Sequence, residues 1–142
     1  MKTIIYSAIF LGFISLESCS NKVPENILET FNNQFSTAED IVWSKENDTT
    51  WEVEFELNNI EYAALLNEEG HIIEIEHEVY TDEIPTEVLS VLNKNFESYQ
   101  IEESEISEKN NKIFYEFELE DSEDSFEVVI DENGNYEVSK IE

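Results

Sequence analysis

Apolar and acidic residues alternate without a break through Trp51-Glu52-Val53-Glu54-Phe55-Glu56-Leu57. Successive side chains of a strand point to opposite faces. The stretch therefore predicts a strand with Trp51, Val53, Phe55 and Leu57 on one face and Glu52, Glu54 and Glu56 on the other. The same pattern returns in Ile113-Phe114-Tyr115-Glu116-Phe117-Glu118-Leu119. Upstream, Pro24 and an acidic residue open a run in which Ile27, Leu28, Phe31 and Phe35 recur at helical spacing, which predicts a helix from Pro24 to Phe35. Ile41 and Trp43 then share one side of a short strand, and Asn47 to Thr50 reads as a turn. Asn58-Asn59 is a hairpin signal. Ile60, Tyr62, Ala64 and Leu66 alternate into Asn67-Glu68-Glu69-Gly70, a turn whose glycine can take a positive φ, and His71 to Val79 follows as a further strand.

The second half echoes the first. Pro24, Ile27, Leu28, Phe31 and Phe35 have counterparts at Pro85, Val88, Leu89, Leu92 and Phe96. Tyr62, Ala64, Leu66 and Gly70 have counterparts at Phe126, Val128, Ile130 and Gly134. The spacing between counterparts changes only where turns are expected, as insertions in loops would produce. The expected fold class is α+β: two tandem repeats, at residues 24–80 and 81–142, each a helix followed by a four-stranded antiparallel meander. A unit of about 60 residues is marginal alone, so the two should share a core or join their sheets.

Composition narrows the function classes. The 142 residues are 40% hydrophobic and 12% aromatic, enough for a packed core. Against 35 Asp and Glu stand 7 basic residues, for a formal net charge of −28. A phosphate backbone needs a basic footprint, so nucleic acid is excluded as a partner, and anionic lipid headgroups are disfavoured. The acid reads either as a solvated, self-repelling surface or as an attractor of cations or of a basic protein partner.

The single cysteine, Cys19, excludes an internal disulfide. Lys2, an apolar run from Ile4 to Leu16 and then Leu16-Glu17-Ser18-Cys19 resemble a bacterial lipoprotein signal, in which the residues before the cysteine are removed and the cysteine is lipidated. Residues 1–18 are then a signal peptide and 19–23 a tether. Ser20 resembles signals that direct lipoproteins to an outer membrane. An ordinary cleaved signal and a short membrane anchor are the alternatives, although the run falls short of the ~20 residues of a comfortable span.

The helix opening on proline, the Ile41-Val42-Trp43 strand, the Trp51-Glu-Val-Glu-Phe strand and the turns at Gly70 and Gly134 together resemble the PepSY-like, β-lactamase-inhibitor-like lipoproteins. The resemblance covers roughly Val23 to Ile141. It implies tandem helix-plus-four-strand units and carries over no catalytic residue.

Candidate chemistry is sparse. His71 and His77 lie too far apart along one strand to ligate a single metal, at ~3.3 Å per residue. Carboxylate pairs are too abundant to mark a glycosidase. No phosphate-binding glycine loop exists among three glycines. Asp131, Asn133 and Glu137 around Gly134 offer oxygens of the kind calcium uses, but without the EF-hand spacing, and a plain hairpin turn explains them equally. The candidate binding face comprises Glu52, Glu54, Glu56, Glu116 and Glu118. Together these observations predict a non-enzymatic envelope protein anchored through Cys19 that binds another protein. Inhibition of an envelope hydrolase and cation binding are the alternatives. No obligate cofactor is expected.

Overall fold

In a computed structural model, residues 22–122 and 124–140 are described. Helix α1 (Glu25–Gln34) leads into strands β1 (Glu39–Asn47), β2 (Thr50–Leu57), β3 (Ile60–Asn67) and β4 (Ile72–Glu78). A single 3-10 turn (Thr81–Glu83) and helix α2 (Thr86–Asn95) precede β5 (Gln100–Lys109), β6 (Lys112–Glu120), β7 (Ser125–Asp131) and β8 (Tyr136–Lys140). Pro24 and Pro85 stand immediately before the helices. Each fixes φ near the helical value where the missing N–H would have had no intrahelical partner. Asn58-Asn59 and Asn110-Asn111 both have positive φ, the two-residue hairpin geometry that matches strand twist. Gly70 and Gly134 sit at φ +82° and +80° in the β3–β4 and β7–β8 turns.

All eight strands form one antiparallel sheet, in sequence order from β1 to β8. This corrects the expectation of two tandem helix-plus-four-strand repeats. Strand β4 pairs with β5 from Glu74↔Lys109 to Glu78↔Glu105, straight across the segment that holds α2. The molecule is thus a single β-rich meander to which two short helices are added. The physical reason is the cost of edges: a sheet ending at β4 and another starting at β5 would each leave a row of backbone donors and acceptors unpaired.

Both helices cover the same face of the sheet. Ile27 and Phe31 of α1 pack with Trp51, Val53, Phe55, Ala64 and Leu66. Val88 and Leu92 of α2, with Ile84 before it, pack with Tyr115, Phe117, Leu119, Val128 and Ile130. Phe31 meets Phe55 and Trp43 edge-on, with ring centroids 5.1 and 5.3 Å apart. Ten-residue helices are marginal in water by themselves, so this burial is what holds them. Among the described residues no helix is long and apolar enough to cross a membrane.

Candidate functional site

The other face of the sheet carries carboxylates instead of a helix. Glu52 stands opposite Ser44, and Glu54 opposite Val42 and Ala63. Glu78 on β4 aligns with Glu105 on β5, and Glu105 with Glu116 on β6. Glu103 aligns with Glu118, and Glu118 in turn with Glu127 on β7. The five glutamates of the candidate face, Glu52, Glu54, Glu56, Glu116 and Glu118, therefore do share one side of the sheet. Glu52, Glu54, Glu56 and Glu118 are half-buried, whereas Glu116 is only 7% exposed. A shallow groove at one end of this face is lined by Val42, Glu54, Glu56, Glu61, Ala63 and Glu103.

The densest part lies over the centre of the sheet and was not singled out by pattern. Glu74 and Glu76, two residues apart on β4, reach across β5 toward Glu116 on β6, and one oxygen of each of the three carboxylates lies within 4.8 Å of the others. The residue between them on β5 is Ser107, which pairs with Glu76 on one side and with Phe114 on the other. Its small side chain, fully buried, leaves the space into which longer side chains from both neighbours converge. Ser107 donates its hydroxyl to Glu74 Oε1 at 2.9 Å, and the Lys109 ammonium donates to Glu74 Oε2. Glu74 is thereby held in place. Glu76, 4% exposed, accepts no hydrogen bond from any described residue.

Crowding of like charge in a desolvated place favours the protonated acid. Burial, followed by the charges of Glu116, Glu74, Glu105 and Glu52, pushes Glu76 up to about 10. Burial and then the Glu127 charge likewise raise Glu116. Glu105 is pushed up to about 7 by burial and by Glu103. Glu52 and Glu103 are also raised, burial being the largest cause for both. At neutral pH the centre of this face thus holds fewer negative charges than its composition suggests.

The other candidates lie away from the Glu74, Glu76 and Glu116 centre, with Glu137 at the β8 edge of the same face. Asp131 Oδ1 accepts the backbone N–H groups of Asn133 and Asn135 at 2.9 Å, and Oδ2 accepts the Asn135 amide. Those bonds, led by the Asn135 side chain, lower its pKa and close the Gly134 turn. Glu137 lies exposed on β8 opposite Val129. His77 stacks on Tyr62 at 5.2 Å, away from exposed His71. Cys19 and the signal-like run lie outside the described residues. The sequence signal that could have found Glu74 and Glu76 was the Glu-Ile-Glu alternation within His71 to Val79. What it lacked was the identity of the neighbouring strand.

No known protein family and no curated protein matches the chain in sequence. Solved structures do match its backbone. A DUF2874 family protein from Bacteroides uniformis superposes with a TM-score of 0.76 at 10% identity, covering 84% of this chain and 90% of that one. A DUF2874 family protein from Bacteroides ovatus gives 0.73 at 14% identity, over 82% and 86%. A BLIP-like protein from Bacteroides fragilis gives 0.69 at 13% identity, over 85% and 89%. At such identities the likeness is one of fold alone.

Proposed function

We propose that the chain is a non-enzymatic, lipid-anchored envelope protein, akin to the PepSY-like lipoproteins, whose helix-free sheet face binds a protein partner of basic character. The observation that carries the reading is the asymmetry of the sheet: both helices cover one face, and the other presents half-buried glutamates interspersed with Val42, Ala63 and Val129. A formal net charge of −28 supports a basic partner, which the summed field of the protein would attract. The Leu16-Glu17-Ser18-Cys19 box supports anchoring, with residues 1–18 as signal and 19–23 as tether, and Ser20 supports an outer-membrane destination. The BLIP-like description of one fold neighbour favours a second reading, in which the partner is an envelope hydrolase that the face restrains.

Two measurements test this. A Cys19→Ser variant should leave the membrane fraction, and continued membrane retention would remove the anchor. A photo-crosslinker at position 54 should trap a defined partner whose yield drops when Glu52, Glu54 and Glu56 become Gln, while one at exposed position 87 on α2 should not. Equal trapping at both positions would move the partner off this face.

A further inference from the structure

We propose that Glu74, Glu76 and Glu116 form a binding site for one hard divalent cation, of the calcium class, set into the centre of the helix-free face. The inference is independent of the protein-binding reading. Geometry comes first. Two oxygens each about 2.4 Å from a calcium ion can be no more than about 4.8 Å apart, and one oxygen of each of the three carboxylates already satisfies that limit. The three ligand oxygens thus already lie within the span that one ion can bridge.

The second observation is Glu76 itself. A carboxyl group that is 4% exposed and accepts no hydrogen bond is costly unless something else meets it. Among the described residues no fully enclosed side-chain oxygen or nitrogen lacks a partner. The Glu76 oxygens, which have none, therefore keep some contact with solvent.

Charge and ligand chemistry agree. In the ionised form that ligates a metal, the three carboxylates beside the one ammonium of Lys109 carry two uncompensated charges, which a single divalent cation cancels. Ser107 and Lys109 fix the Glu74 carboxylate while leaving each oxygen a further lone pair, the outer-shell support that metal-bound carboxylates commonly have. The donor set is oxygen alone, with His77 stacked on Tyr62 instead, which selects hard cations over zinc. The crowding that holds protons on Glu76 and Glu116 is the same crowding a cation relieves.

The test is isothermal titration of the full chain, freed of metal by chelation, with calcium, magnesium and manganese at fixed ionic strength. The expected result is saturable binding at one site, with affinity lowered about a hundredfold or more in Glu76→Gln and in Glu116→Gln, and unchanged in Asp131→Asn. Circular dichroism establishes that each variant is folded, and using two ligand variants keeps the test decisive if one is not. The absence of saturable heat with all three ions overturns the site. So does wild-type affinity in a folded ligand variant, which would assign the heat to diffuse binding on an acidic surface. Loss of binding in Asp131→Asn would place the ion in the Gly134 turn and equally overturn the proposal.

Discussion

The two faces of this sheet are made by the same strands and obey the same alternation, yet they solve opposite problems. On the helix face, Phe31, Val53, Phe117 and Leu119 are at most 1% exposed and lie within two apolar clusters. On the other face, Glu74, Glu76, Glu116 and Glu127 are between 4 and 8% exposed. Apolar burial is favourable wherever packing is dense, at roughly 25 cal/mol per Å². Carboxylate burial is favourable only if a proton, a hydrogen bond or a cation accompanies it. Glu74 has Ser107 and Lys109, and Glu127 accepts the Ser139 hydroxyl at 2.7 Å. Glu76 has the proton that its raised pKa retains. One face is therefore a source of stability at every pH, and the other is conditional.

Substitution on the helix face should have the largest effect. Phe117→Ala removes a fully buried ring under α2 and should cost about 3–5 kcal/mol, read from urea denaturation. A loss below about 1 kcal/mol would mean that the helix is not what holds this half of the sheet.

The next test concerns the conditional face. A carboxyl group raised in the folded state from 4.5 to about 10 binds more protons folded than unfolded throughout that window. Its contribution to stability is complete below about pH 4.5 and is lost as pH rises toward 10. In the presence of chelator, stability should therefore fall by more than about 1 kcal/mol between pH 5.5 and pH 8. The groups facing Glu76 are Glu74 on its own strand, Glu105 and Ser107 on β5, Glu116 on β6 and Glu52 on β2. Glu76→Gln, which keeps the shape of the protonated acid, should flatten that slope and be the more stable protein at pH 8. An unchanged slope would assign the pH dependence to other carboxylates.

The smallest effect distinguishes the two glycine turns beneath the helices. A Cβ at Gly70 would lie 3.1 Å from the Asn26 carbonyl oxygen of α1, at a φ of +82°. At Gly134 it would meet only the Val91 side chain, at 3.2 Å. Backbone yields less than a side-chain methyl. Gly70→Ala should cost about 1–2 kcal/mol and Gly134→Ala less, measured as a difference in melting temperature.

Much of this was readable from the chain. The Trp51 to Leu57 alternation assigned Glu52, Glu54 and Glu56 to one face, because strand geometry leaves side chains no other option. Pro24 with its acidic follower and the Asn58-Asn59 pair marked a helix start and a hairpin through purely local constraints. The division into two units failed at β4 and β5. Nothing within Ile72–Glu78 or Gln100–Lys109 specifies that these strands pair with each other, since backbone hydrogen bonding is indifferent to which edge supplies it.

The sequence by itself determined the strands, their inward and outward positions, the turns and a large excess of acid. Only the tertiary structure decided that the eight strands are one sheet and that both helices take the same face. It also decided that Glu74 and Glu76 meet Glu116 across the small side chain of Ser107. Periodicity acts through a residue's own backbone and is local. The energy of a buried carboxylate depends on which strands lie beside it, and that is settled only when distant segments pair.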